Sequence, residues 1–112
     1  MTGIINEEWR SIDEYINYQV SNIGRVRNAD TGKIMKPGIR KDGYQRIGLY
    51  KDKKQKFFLI HRLVAQEFID NPNNLPLVDH INNIRHDNNI NNLRWVDYSG
   101  NSLNMKRNTV YS

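Results

Sequence analysis

Two hydrophobic periods divide the chain. The first part alternates. Val20 to Arg27 alternates loosely and carries β-branched residues, which predicts a strand. Asp30-Thr31-Gly32 is a tight-turn signal in which Gly32 can take a positive φ. Lys33 to Lys36 is the expected return strand, stopped by Pro37-Gly38, and Asp42-Gly43 marks a second turn. From Tyr44 to Tyr50 the alternation places Gln45, Ile47 and Leu49 on one face and Tyr44, Arg46 and Tyr50 on the other. A basic tip, Lys51 to Lys56, leads into strand-like Phe57 to Ile60. The expected arrangement is an antiparallel meander.

The period then lengthens. Ile60, Val64 and Phe68 recur four apart with Leu63 on the same side, so Arg62 to Ile69 is expected to be a short amphipathic helix, ended by Asp70-Asn71-Pro72. After a loop with two prolines, Leu77 to Ile81 and Leu93 to Val96 read as strands flanking an asparagine-rich loop, Asn82 to Asn92. Ser99 is a candidate N-cap for a final helix running through Lys106. The fold class expected is α+β.

Length and composition narrow the function. One hundred and twelve residues make one domain with a small core. The longest apolar run is Phe57-Phe58-Leu59-Ile60, so neither a bilayer span nor a secretory segment is expected. Cysteine is absent, which removes disulfide scaffolds, thiol nucleophiles and Cys-based zinc sites, and is compatible with a reducing compartment. The net charge of +5 is unevenly spread: residues 1–24 carry −3, residues 57–112 balance, and residues 25–56 hold eleven Lys and Arg against three Asp, or +8. A basic stretch of that kind suits a polyanion, most commonly nucleic acid, although a solvated surface loop has the same composition.

Side chains able to do chemistry gather in the last third. Asp79 offers an anionic oxygen and Asn101 a neutral carboxamide oxygen, ligands suited to Mg²⁺ when phosphate and water complete its shell. His80 can take a proton from water, since histidine titrates near neutrality. Asn92 can fix a histidine or a loop by hydrogen bonding. Oxygen ligands, one base and a basic surface are the requirements of metal-assisted phosphodiester hydrolysis. Taken singly, each residue has a structural reading too. Asp79-His80 could be a surface turn, Asn92 a loop cap and Asn101 a helix cap. His61 suits junction packing and His86 a solvated loop, and no close spacing supports a three-histidine zinc site.

The order of these segments adds a resemblance. His61 to Phe68, Val78-Asp79-His80-Ile81, Asn92 to Val96 and Gly100-Asn101-Ser102 closely resemble the HNH homing endonucleases of phages and mobile introns. Glu8-Trp9-Arg10 followed by Tyr18 to Arg27 resembles the DNA-binding module that often precedes that nuclease core, so the likeness covers about residues 7–105. It implies a ββα-metal (His-Me finger) motif in residues 57–112 behind a DNA-binding sheet in residues 1–56, together forming one compact unit. It further implies His80 as general base, Asn92 as the residue that orients the histidine and steadies the loop, and Asp79 and Asn101 as ligands of Mg²⁺ (or Mn²⁺). Asn101 stands where many relatives have histidine, which makes this an H-N-N variant, and Asn82-Asn83 replaces a common Asp-Gly. The sequence stops at Ser112, where some relatives continue into a further DNA-binding helix, so long site-specific recognition is not expected of it. The implied partner is double-stranded DNA, contacted by Arg25, Arg27, Arg40, Lys41, Arg46, Lys51, Lys53, Lys54, Lys56 and Arg62. One such site cuts one strand, so a monomer is expected to nick, whereas double-strand cutting needs a homodimer or two events. The setting implied is the cytoplasm of a bacterial host, with a phage or mobile element encoding the protein. The alternative is a DNA-binding module of the same fold without catalysis.

Overall fold

Where the sequence predicts one meander, two three-stranded antiparallel sheets form in the computed structural model, which describes residues 6–101. The first sheet contains β1 (Trp9–Ile12), β2 (Tyr15–Ser21) and β3 (Val26–Asn28), in that order. The second contains β4 (Gly38–Ile39), β5 (Gln45–Lys51) and β6 (Lys54–Leu59). Helix α1 (Ile60–Phe68) follows without a loop, and β7 (Leu77–His80) pairs antiparallel with β8 (Leu93–Val96) in a third, two-stranded sheet.

Three expectations change. Val20 to Arg27 is not one strand: β2 ends at Ser21, and a turn carries the chain into β3. Side-chain bonding makes that turn. Asn22 accepts from the Glu8 amide at 2.9 Å and donates to the Asn6 carbonyl at 3.0 Å, while the Ser21 hydroxyl accepts from the Arg25 amide at 3.1 Å. Lys33 to Lys36 returns along β3 only briefly: Ile34 bridges Arg27, the Asn28 amide donates to the Lys33 carbonyl at 3.0 Å and the Met35 amide to the Val26 carbonyl at 2.8 Å, after a turn in which Gly32 has φ +74. The next strand, β4, starts at Gly38 beyond Pro37 and pairs with β5 in the second sheet. The basic tip is also shorter than expected. Only Asp52 and Lys53 turn, both at positive φ (53 and 66), as a two-residue hairpin loop requires. Lys51, Lys54 and Lys56 belong to the paired strands. The final helix expected from Ser99 lies outside the described residues.

One cluster of apolar side chains joins these parts. Ile12, Val20, Val26, Ile47, Leu49, Ile60, Leu63, Val64 and Leu93 are all buried together. They come from both three-stranded sheets, from α1 and from β8, and the 56/57 boundary falls inside β6. Helix α1 turns Ile60, His61, Leu63, Val64 and Ala65 inward, and its packing is what holds a helix of nine residues together. The aromatic end of β8 is tied to the helix exit, where Trp95 Nε1 donates to the Ile69 carbonyl at 3.0 Å.

Candidate active site

The site forms where β7 ends. Ladder pairing runs through Asp79↔Arg94 and His80↔Leu93, and then the chain leaves the strand. Neighbouring strand residues point to opposite faces, and these two take different partners. Asp79 is half-buried and bonds its cross-strand neighbour: Oδ2 accepts from Arg94 Nε at 3.0 Å and lies 2.9 Å from Arg94 Nη2. His80 is buried, 4% exposed, with its ring 4.9 Å from that of His61 and 5.9 Å from that of Tyr44.

The hydrogen bond on the His80 ring comes from an asparagine that the sequence did not single out. Nε2 lies 2.7 Å from Oδ1 of Asn88, itself 3% exposed, and Asn88 Nδ2 donates to Gln45 Oε1 at 3.0 Å. Asn92 does not bond the histidine. Its Oδ1 accepts from the Asn82 amide, and its Nδ2 donates to Asn82 Oδ1 and to the Asp87 carbonyl, all at 2.9 Å. It thereby clamps both ends of the 82–87 loop that leads to Asn88. No spacing rule distinguishes Asn88 from its neighbours in Asp87-Asn88-Asn89-Ile90-Asn91-Asn92; only its burial beside the ring does.

Asn101 lies just beyond β8, the strand that supplies Arg94. Its amide donates to Asp97 Oδ1 at 2.9 Å and its Nδ2 to Ser99 Oγ at 3.0 Å, so its carboxamide oxygen takes part in neither bond. Arg94 holds Oδ2 of Asp79, and Oδ1 takes no part in that pair. Two hard oxygens, one of them charged, fit a divalent ion that keeps most of its water.

His61 opens α1 underneath His80. It is buried, stacked 5.1 Å from Tyr44, and its Nδ1 has no partner among the described residues. Burial above all, then the nearby positive charge of His80, Arg62 and Arg40, pushes its pKa down from 6.5 to about 4. The unfolded chain therefore binds a proton in the pH window between those values that the folded protein refuses. Stability is full above the upper value and falls as the pH drops through the window. Between pH 7.5 and pH 5 the loss is expected to be about 2 kcal/mol, taking roughly 1.4 kcal/mol per pH unit over that part of the window. Urea denaturation of the wild type and His61→Phe at both pH values measures it. Equal losses in the two proteins would place the acid sensitivity elsewhere.

The basic side chains divide into those held by the fold and those that stand out from it. Arg25 pairs with Glu7 and lies 5.7 Å from the Trp9 ring, and Arg27 bonds Gln19 Oε1 at 2.7 Å while lying 4.1 Å over the same ring. Arg62 donates to the Pro76 carbonyl at 3.0 Å, and Arg40 pairs with Asp42 at 2.8 Å. Arg46 covers Phe57 at 4.5 Å. Lys41, Lys53 and Lys54 stand out; Lys51 and Lys56 are exposed too but lie 5.4 Å over the rings of Tyr15 and Phe58, and Lys51 faces Lys54 directly across the ladder. Like charges set opposite each other oppose folding, an arrangement that an anion on that surface would relieve.

Known proteins resemble this chain in sequence and in fold. The NUMOD4 motif matches residues 7–50. The chain is 45% identical over 105 residues to DNA endonuclease I-HmuI of Bacillus phage SP01, covering 92% of this chain and 60% of that protein. It is 40% identical over 95 residues to the uncharacterized HNH endonuclease L245 of Acanthamoeba polyphaga mimivirus, covering 85% of this chain and 28% of that protein. The solved structure titled "DNA binding and cleavage by the HNH homing endonuclease I-HmuI" superposes with a TM-score of 0.76 at 44% identity, over 90% of this chain and 59% of that one. The chain thus spans about three-fifths of the length of the phage enzyme. Among the described residues no helix is long and apolar enough to cross a membrane. By sequence and by fold the chain is similar over most of its length to the phage HNH homing endonuclease I-HmuI, and its N-terminal part matches the NUMOD4 motif.

Proposed function

We propose that the chain is a divalent-metal-dependent DNA endonuclease that hydrolyses one phosphodiester strand per site. The observation that carries this reading is His80: a buried imidazole at a strand end, held through one ring nitrogen, next in sequence to a half-buried carboxylate. In this reading His80 takes the proton from the attacking water. Asp79 and Asn101 hold Mg²⁺ (or Mn²⁺), and Arg94 keeps Asp79 aimed. The ion, when bound, supplies positive charge to the scissile phosphate and the leaving oxygen. Asn92 keeps the loop between the two strands closed. DNA lies along the exposed cations of the β5–β6 hairpin and the N-terminal sheet, and the setting is the cytoplasm of a phage-infected bacterium.

Incubation of supercoiled plasmid with and without Mg²⁺ tests the proposal. Open circles that appear only with the metal are the expected product. Retarded but uncut plasmid under both conditions would make the chain a binding module instead.

The hairpin lysines have their own test. Affinity for DNA should fall steeply with salt because each phosphate contact releases counterions. Replacing Lys51, Lys53, Lys54 and Lys56 with Gln should weaken binding to every sequence alike. The slope of log affinity against log salt should flatten by about 0.9 for each lysine that meets a phosphate. An unchanged slope would move the DNA to the strands before Asp30.

A further inference from the structure

We infer that Asn88, held in turn by Gln45 of β5, is the positioning residue that orients the His80 imidazole and keeps its proton on Nε2, leaving Nδ1 to face water. The inference rests on the proposed role of His80 as base and adds what prepares it. The amide of Asn88 has two different ends. Its Nδ2 donates to Gln45 Oε1 at 3.0 Å, and its oxygen lies against His80 Nε2, at 2.7 Å. A carbonyl oxygen only accepts, so the ring nitrogen facing it must carry the hydrogen. A neutral imidazole protonated on Nε2 has its lone pair on Nδ1, the nitrogen a general base would use. Of the two neighbouring histidines, whose rings are tilted at 45°, His61 has a ring nitrogen that is buried and without a partner among the described residues; His80 Nδ1 is not sealed in that way.

Three further contacts hold Asn88 in place. The Ser21–Gly24 turn of the first sheet packs directly on it: a Cβ added at Gly24 would come within 2.7 Å of Asn88 Cβ, and Gly24 itself has φ +93. The neighbouring backbone is tied to the same turn, with the Ile90 amide donating to the Asn22 carbonyl at 2.9 Å. On the other side Asn92 fixes the Asp87 carbonyl. The N-terminal module thus reaches the histidine through the Asn88 amide as well as through the Tyr44 ring. Gln45 lies in the second sheet and Asn22 and Gly24 in the first, so both sheets set the orientation of a histidine on the third.

The tautomer can be read directly. Long-range proton–nitrogen correlation on the full, ¹⁵N-labelled chain at a pH where the ring is neutral, with neither metal nor DNA, should show His80 protonated on Nε2. Asn88→Ala should mix the two tautomers and lower the single-turnover nicking rate by about 10–100-fold, the usual effect of losing a partner behind a working group, with little change in DNA affinity. Asn88→Asp keeps the acceptor and should retain the Nε2–H form. If Asn88→Ala does not fold, Gln45→Ala leaves the asparagine in place but frees its amide to rotate, and should give the mixed tautomers. His80 protonated on Nδ1 in the wild type, or Nε2–H and wild-type nicking retained in both alanine variants, would overturn the inference. Failure of the endonuclease reading looks different: the tautomers would respond as expected while the wild-type protein cut nothing.

Discussion

His80→Ala is expected to slow single-turnover nicking of supercoiled plasmid by about 10²–10⁴-fold, the usual contribution of a positioned general base. DNA affinity should barely change. A base acts on water in the transition state, whereas phosphate contacts hold the ground state, so the loss belongs in the rate and not in binding. The ring is buried against His61 and Tyr44, so alanine also removes packing, with an expected stability cost of about 1–3 kcal/mol. Circular dichroism at the assay temperature separates the two effects: the variant should be folded and slow. Wild-type nicking by a folded His80→Ala protein would show that the base is another group, and the H-N-N assignment would fall with it.

Removing the metal should abolish nicking outright and leave the fold intact. The ligands proposed, Asp79 and Asn101, are oxygens on the last strand pair and the turn beyond it, and the apolar cluster that closes the molecule takes Leu93 from that pair but neither ligand. Asp79 is balanced by Arg94 without any ion, so chelation uncovers no unpaired buried charge. EDTA is therefore expected to stop the reaction with no change in the far-ultraviolet circular dichroism. Asp79→Ala should lower apparent Mg²⁺ affinity by at least about 100-fold, since losing an outer-shell partner alone costs 10–100-fold, and excess Mg²⁺ should partly restore the rate. Unfolding on chelation would mean a structural ion. An Asp79→Ala protein with the wild-type Mg²⁺ dependence would remove Asp79 from the ligand set.

Placement of the site follows from small local features. His80 is the last residue of its strand, so the chain can leave the ladder there, and Asn92 closes the loop that follows. The basic hairpin gets its sharp tip from two residues at positive φ, which brings Lys51 and Lys54 face to face instead of spreading the charge over a long loop. His61 has no hydrogen-bonding role among the described residues. Its place beneath His80 makes it a packing group, and the acid sensitivity expected of it is the cost of burying a titratable ring.

The sequence by itself was enough for the helix around Leu63 and Val64, the β5–β6 hairpin, the two strands enclosing the asparagine-rich loop, and the candidates Asp79, His80, Asn92 and Asn101. Those features rest on periodicity, turn chemistry and motif order, all local along the chain. It misplaced the end of β2 because Val20 to Arg27 alternates like a strand, while the turn at Asn22 depends on Glu8 and Asn6, more than a dozen residues earlier. It extended the return strand across Lys33 to Lys36, where folding keeps a bridge at Ile34 alone, because nothing local shows that the next strand, after Pro37, joins a second sheet. The partner of the histidine was beyond its reach for the same reason. Asn88 and Asn92 are the same residue type in the same loop, and only folding brings Gln45, 43 residues away, against one of them. Which amide meets the imidazole and which closes the loop is decided by contacts between three sheets, and a hydrogen bond over that separation leaves no periodic trace in the chain.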